Sequence, residues 1–318
     1  MAGVGRARLV AAVRVAASVA MLAILVPRVD LSAVVRLHTF GWLAAALVAT
    51  FVGIVLSALR WQRVLAALGL EAGLRPLVSH YLASLFVGNV LPSTVGGDVL
   101  RVSRLAATNG QAPGTFASVV LERLTGWIVL PVLTLGAVIV NPGLHRRAPR
   151  AVDLATAVAI GTLVLLVVLV FAAAHPRLGG RLASAEGWRR FTGAVHLGLD
   201  RFRRRPGLAL EVLTAGFAYQ LAVMLAAFLA AKALGIAVGW TAILAFFPVV
   251  AIIQVLPVTI GGLGTREGAL VLFLGGLGVS QANAISLGLL FYGVNLVVSL
   301  LGAPAFAVGA RRPARVTA

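Results

Sequence analysis

Long apolar segments run through most of the chain and predict transmembrane helices. A helix needs about 20 predominantly apolar residues to cross a bilayer, and six segments reach or approach this length. Because mostly short linkers join them, we predict an all-α fold, a polytopic helical membrane protein with one integral membrane domain over residues 1–318. The predicted spans are Leu9–Val26, Phe40–Leu59, Thr115–Val140, Val152–Ala174, Leu208–Leu234 and Ala282–Val308.

Two further apolar segments are too interrupted to cross the bilayer as straight helices. They lie within Leu77–Ala107 and Trp240–Leu274, and a polar stretch rich in Gly, Pro and Thr divides each of them. Non-helical backbone at membrane depth is tolerated where protein or a water-filled cavity covers it. We therefore predict two re-entrant hairpins, each of which enters and leaves the membrane on one side.

Both predicted hairpins carry the same motif. NVLPSTVGGDVLR (Asn89–Arg101) and QVLPVTIGGLGTR (Gln254–Arg266) align without a gap, and seven of their 13 positions are identical. Proline removes a backbone donor and paired glycines allow a bend, so each motif predicts a helix break with a restart after the glycines. Broken helices at matching places in two halves of a chain indicate a transporter-like binding site. Three predicted spans separate the motifs, and this odd number predicts an inverted-topology repeat.

The charge distribution predicts the orientation in the membrane. The chain is 60% hydrophobic and carries 27 basic against 9 acidic residues, a net charge of +18. The basic N-terminus, the linker 60–75, the Arg-rich loop 174–206 and the basic C-terminus fall on one side, which the positive-inside rule assigns to the cytoplasm. We predict a multi-pass protein of the cell membrane with both termini cytoplasmic, although the basic loop 141–150 falls outside. Arginines divided among loops indicate anionic lipid rather than nucleic acid as the partner.

The Arg-rich loop 174–206 contains an amphipathic pattern. Apolar residues recur there at spacings of three and four, as in a helix with one apolar face. Two interpretations stay open: a helix on the cytoplasmic membrane surface, or a lid packed on the helix bundle. The residues of the pattern are Trp188, Phe191, Val195, Leu199 and Phe202.

Six ionisable residues fall at predicted membrane depth, where each costs roughly 2.5 kcal/mol or more on insertion scales. Adjacent residues of a helix do not face each other, so we expect Glu122 to pair with Arg101 or Arg266, and Arg123 with Asp98. The sixth residue is Glu267.

These charges allow two interpretations. One is an ion-pair network that only fixes the fold, and the other is a polar crevice for a charged substrate group. Helix N-termini after the glycines and two arginines suit a phosphate. The candidate substrate-binding residues are Asn89, Pro92, Thr94, Gly96, Gly97, Asp98, Arg101, Glu122, Arg123, Gln254, Pro257, Thr259, Gly261, Gly262, Arg266 and Glu267. The acids among them are candidate proton carriers. No motif indicates a catalytic residue, a cofactor or a metal ion, so we expect none of these.

The motifs resemble those of a known family, the transmembrane region of lysylphosphatidylglycerol synthetases, also called flippase-like proteins. The similarity covers essentially the whole chain and is carried by Asn89–Arg101 with Arg104, by Leu121–Arg123, and by Leu256–Gly268. It implies a membrane protein that moves or presents lipid headgroups. In two-domain members this region flips aminoacylated phosphatidylglycerol made by a C-terminal synthase domain. This chain ends at Ala318, after its last predicted span, so we expect no synthase domain and no enzyme activity.

Two functions follow from these expectations. The first is a lipid flippase or lipid-handling transporter that moves a phospholipid or a lipid-linked headgroup. The alternative is a non-transporting membrane subunit that supports a lipid-modifying transferase.

Overall fold

A computed structural model describes residues 39–90, 96–174, 186–255 and 262–309, and all regular elements within these ranges are helical. The described helices are α1 Thr39–Ala67, α2 Leu74–Val90, α3 Gly96–Asn109, α4 Ala112–Val140, α5 Gly143–Arg147, α6 Pro149–Ala174, α7 Glu186–Arg204, α8 Pro206–Ala233, α9 Trp240–Ile253, α10 Thr265–Gly275, α11 Gln281–Ser299 and α12 Gly302–Gly309.

Five of these helices are long and apolar enough to cross a membrane, namely α1, α4, α6, α8 and α11. They confirm an all-helical, multi-pass membrane protein and correspond to five of the six predicted spans. The remaining predicted span, Leu9–Val26, lies outside the described residues. Helix α1 runs on to Ala67 rather than ending at Leu59, so that Arg60 lies inside the helix and not in a linker.

The last predicted span is not continuous. Helix α11 ends at Ser299 and the short helix α12 begins at Gly302. Pro304 lies in the first turn of α12, where a missing backbone N–H is tolerated. A Cβ atom at Gly302 would overlap the carbonyl oxygen of Leu82, so α12 approaches the backbone of α2 too closely for any larger residue. The break therefore allows α12 to pack on α2, the helix that precedes the first motif.

Each motif copy joins two helices that contact each other. Helices α2 and α3 flank the first copy, and α9 and α10 flank the second. Helix α3 begins at Gly96, within the glycine pair, whereas α10 begins only at Thr265. Gly262 and Gly264 have φ angles of 73° and 87°, a left-handed conformation that favours glycine. The second helix therefore restarts later than the sequence predicts.

The two motif copies are embedded in different apolar clusters. Leu105 of α3 belongs to a cluster with Trp61, Leu65 and Leu77. Phe273 of α10 belongs to a larger cluster formed mainly by α8, α9, α10 and α11. Each motif helix is thus held by its own core, and α4 and α8 contribute residues to both clusters.

The amphipathic segment forms helix α7, which packs against α1, α4, α6 and α8. Ala194 and Val195 are buried, and the backbone at Gly198 lies so close to Leu121 of α4 that a Cβ atom there would overlap its side chain. Leu199, predicted on the same face, is instead 37% exposed. The structure thus shows this helix packed on the bundle.

Candidate functional site

Arg101 of the first motif lies at the centre of a buried ionic cluster. Its Nη1 atom lies 2.7 Å from Oε2 of Glu122 on α4. Its Nε atom donates a hydrogen bond of 2.9 Å to Oδ1 of Asp98, which is one helical turn earlier on α3. Nε of Arg123 donates to the other carboxylate oxygen of Asp98 at 2.6 Å. The predicted pairs Glu122–Arg101 and Arg123–Asp98 are therefore confirmed.

Arg60 is a member of this cluster that the sequence analysis missed. Its Nη2 atom forms an ion pair with Oε1 of Glu122, and both side chains are buried. Gly126 of α4 makes room for the guanidinium group, because a Cβ atom there would lie 2.7 Å from Nη1. Gly216 of α8 lies on another side of the Arg60 side chain, where a Cβ atom would be in ordinary contact at 3.6 Å from Cδ. The available signal was the helical spacing of Trp61 and Leu65, which continues the buried face beyond the predicted end of the span.

The five charges form a single chain of contacts in the order Arg60, Glu122, Arg101, Asp98, Arg123. Cations and anions alternate, and both ends are arginines. Three guanidinium groups face two carboxylates, so the cluster has a formal surplus of one positive charge. Its Arg60 end is buried, whereas the Arg123 side chain is 50% exposed. Among the described arginines of the cluster, Arg123 is therefore the one at which the surplus charge can meet a solvent or lipid group.

Aromatic rings complete the surroundings of the two buried arginines. The guanidinium carbon of Arg101 lies 5.0 Å from the ring centroids of both Trp61 and Tyr81, and that of Arg60 lies 4.9 Å from the ring of Tyr219. A desolvated cation over an aromatic ring gains about 2 kcal/mol. Trp61 follows the predicted span Phe40–Leu59, a position typical of an interfacial aromatic anchor, but its side chain is fully buried and Nε1 donates to Oγ of Ser118 at 2.8 Å.

The second motif forms a separate and smaller cluster on α10. Nε and Nη2 of Arg266 donate to Oε1 of Glu267 at 3.0 and 2.8 Å. Oε2 of Glu267 accepts the backbone N–H of Gly264 at 2.5 Å. The ring of Tyr292 lies 5.2 Å from the guanidinium carbon, and Gly288 leaves the space that the carboxylate occupies. A carboxylate of the chain itself therefore occupies the helix N-terminus where the sequence analysis expected a phosphate.

The remaining candidate residues are less tightly placed. Asn89 and Gln254 are half-buried at the ends of α2 and α9. Gly97 lets α3 approach α2, because a Cβ atom there would lie 2.5 Å from the carbonyl oxygen of Ser84. The other candidates, Pro92, Thr94, Pro257, Thr259 and Gly261, lie outside the described residues.

The two clusters do not touch through charged groups. Within residues 39–90, 96–174, 186–255 and 262–309, no ion pair joins the Arg101 cluster to the Arg266 cluster. Helix α11, which carries Tyr292, also packs against α1 and α2 and so connects the two regions. In the same described part of the chain, no group of three or more His, Asp or Glu side chains could hold a metal ion. The arrangement suits electrostatic binding of an anionic group.

Comparison with known proteins assigns the chain to a family. The family model described as "Lysylphosphatidylglycerol synthase TM region" matches residues 10–302, so the chain belongs to this family. The match confirms the resemblance seen in the two motifs and in the segment Leu121–Arg123. A search of curated proteins finds no match.

Proposed function

We propose that this membrane domain of the lysylphosphatidylglycerol synthase family is a lipid flippase or lipid-handling transporter, which moves a phospholipid or lipid-linked headgroup along a polar crevice. The observation that carries the proposal is the chain of five charges around Arg101, which is buried at one end, half-exposed at the other, and positive in sum. An anionic headgroup is the complementary partner inside a membrane.

A role in folding alone does not require this arrangement. Buried ion pairs are weak stabilisers, because the loss of hydration offsets most of their attraction. This network keeps an extra cation and an exposed end, both of which an anionic ligand can use. Within the described residues, Nε and Nη1 of buried Arg60 also have no hydrogen-bond partner. The cluster therefore retains donors for a phosphate that moves inward from Arg123.

The two motif copies supply the proposed route between leaflets. We propose that α2–α3 and α9–α10 are re-entrant hairpins that enter the membrane from opposite faces. The three candidate spans α4, α6 and α8 lie between them in sequence, and this odd number reverses the direction of the chain. In this arrangement the termini lie in the cytoplasm, and the two buried arginines, Arg101 and Arg266, are reached from different leaflets.

The proposal is tested by measuring lipid movement in vesicles that contain only the purified chain. We expect Arg101→Gln and Arg266→Gln to reduce the translocation rate of a fluorescent anionic phospholipid at least tenfold. Thermal stability in detergent should fall less than for Glu122→Gln, because Glu122 keeps its ion pair with Arg60, Asp98 keeps Arg123, and Glu267 keeps the backbone N–H of Gly264. Translocation is therefore compared at a temperature at which each variant remains folded. Arg146→Gln, at an exposed arginine remote from both clusters, is the matched control and should leave the rate unchanged.

Two results would contradict the transport proposal. If both motif variants lose stability in proportion to activity, the charges serve the fold. If the purified wild-type chain moves no lipid, while a lipid-modifying transferase depends on its presence, the alternative of a non-transporting subunit is correct.

A further inference from the structure

A large apolar groove lies beside the exposed end of the ionic cluster. It has a volume of about 740 Å³ and is formed by α4, α6 and α9, with Phe191 of α7 at one end. This volume falls in the range of ligand sites, about 300–1,000 Å³. Its described lining is aliphatic and aromatic apart from Thr162 and Arg123, and it contains no carboxylate. The groove therefore combines an apolar trough with a single cation.

The groove is open towards the lipid. Leu165 of α6 lines it and is 55% exposed, and Gly161 in the turn before is also exposed. Such exposure on a helix with the composition of a membrane span indicates contact with acyl chains rather than with water. A lipid can thus reach the groove sideways from the bilayer.

The groove is lined by a residue bonded to the first motif and by residues that precede the second motif. Arg123 lies in its wall and at the same time bonds to Asp98 of the first motif. Ile252 and Ile253 line its other side and directly precede Gln254, the first residue of the second motif. The acyl chain of a lipid can therefore lie in the groove while the headgroup of that lipid faces the ionic cluster.

We propose that the groove holds one acyl chain of an anionic phospholipid, with the phosphate at Arg123, taken from the leaflet on the side of α7. Charge complementarity selects the occupant, because the cluster's surplus positive charge is accessible at Arg123 and no described lining residue offsets it. The direction of the chain gives the side of the membrane. The groove is lined by the N-terminal half of α4 and mainly by the C-terminal half of α6, and α7 follows α6 in the chain at this end of the bundle. This inference rests on the proposed function and names the site where transport begins.

The test uses phospholipids that carry a photoreactive diazirine in one acyl chain. The full-length chain is placed in mixed phosphatidylglycerol–phosphatidylcholine vesicles, and either lipid carries the probe at trace amount. Labelling of 158–169 is compared with that of 139–140, two highly exposed residues at the far end of α4 that serve as the reference for bulk lipid. One arginine near an anionic lipid favours it about five-fold. We expect the ratio of phosphatidylglycerol to phosphatidylcholine in the groove to exceed the reference ratio by this factor.

Two variants separate charge from shape. Arg123→Gln should return the groove ratio to the reference value. Gly161→Trp should reduce labelling by both lipids, because a side chain at Gly161 meets no atom within 4 Å and extends into open space. Gly136→Trp on α4 is the matched control, since Gly136 is equally unobstructed but does not line the groove, and it should leave the labelling unchanged.

The outcomes distinguish this inference from the transport proposal. Equal ratios in the groove and at the reference site, or a ratio unaffected by Arg123→Gln, would overturn the inference even if lipid translocation is normal. An elevated ratio in vesicles where no translocation occurs would confirm the groove and contradict transport.

Discussion

The two copies of the repeated motif keep the same arginine but treat its charge differently. Arg101 and Arg266 occupy equivalent positions, are only 2% and 4% exposed, and each lies about 5 Å from an aromatic ring. Arg101 is bonded to acids on two helices and belongs to a chain of charges that reaches a third. Arg266 is bonded to its own neighbour, Glu267. The first copy therefore links helices, whereas the second is complete within one helix.

The counter-ions explain this difference, because they are not part of the repeat. The position equivalent to Asp98 is Leu263, and the position equivalent to Glu267 is Val102. The two copies thus share the cation but not its anions, and in the proposed mechanism this cation is the group that contacts the lipid headgroup. The anions then determine whether the arginine is bonded to other helices of the bundle or to a carboxylate of its own helix. We expect the contacts of Arg101 to change when the helices move, and those of Arg266 to change when Glu267 is displaced.

The largest expected effect comes from removing the acid in each copy. Glu122→Gln breaks two buried ion pairs, which leaves Arg60 without a counter-charge and Arg101 with Asp98 alone, and breaking a buried pair costs roughly 3–5 kcal/mol. Glu267→Gln removes the partner of one arginine only, and Tyr292 still covers that guanidinium group. Thermal unfolding in detergent should therefore show a larger loss of stability for Glu122→Gln than for Glu267→Gln. An equal loss would mean that the first cluster does not join the helices more strongly than the second.

The second effect, of intermediate size, concerns the glycines that accommodate the charges. Gly126→Ala would place a methyl group 2.7 Å from Nη1 of Arg60, and Gly288→Ala would place one 2.9 Å from Oε1 of Glu267. Overpacking of this kind costs about 1–3 kcal/mol. Both variants should lower the unfolding midpoint, and Gly126→Ala should also slow lipid translocation because it disturbs the longer cluster. Gly136→Ala, which meets no atom within 4 Å, should stabilise the helix slightly. Translocation unaffected by Gly126→Ala would place Arg60 outside the functional cluster.

The sequence predicted those features that depend on composition and on spacing along a helix. The five described spans follow from hydropathy. The rule that adjacent helical residues point apart predicted Arg101 or Arg266 as the partner of Glu122, and Asp98 as that of Arg123; the structure has Arg101 and Asp98. Arg60 escaped prediction because a basic residue after an apolar segment normally marks the membrane boundary. The partner of Arg266 escaped it because Glu267 turns back to cap its own helix, and that depends on the φ angles of Gly262 and Gly264 rather than on residue type.

The smallest effect is expected for the contact between the first motif helix, α3, and α12, the last described helix. Arg104 donates from Nη1 to the carbonyl oxygen of Ala305 at 3.0 Å and from Nη2 to that of Phe306 at 2.8 Å. These carbonyl groups lie towards the C-terminal end of α12, where a cation complements the helix dipole. The equivalent position in the second copy is Ala269, which can form no such bond. Of the two motif helices, α3 and α10, it is therefore α3 that bonds α12 within the described residues.

Removing this contact should loosen α12 without unfolding the bundle. Arg104 is partly exposed, so Arg104→Gln should cost only about 1 kcal/mol. Hydrogen–deuterium exchange of residues 302–309 should become roughly five-fold faster, as follows from that free energy when exchange occurs through local opening. Exchange in α10 should not change. Arg203→Gln, at an exposed arginine of α7, is the control and should alter neither helix. If α12 keeps its protection in Arg104→Gln, the close approach of Gly302 to Leu82 is sufficient to hold it, and the first copy differs from the second only in its ionic cluster.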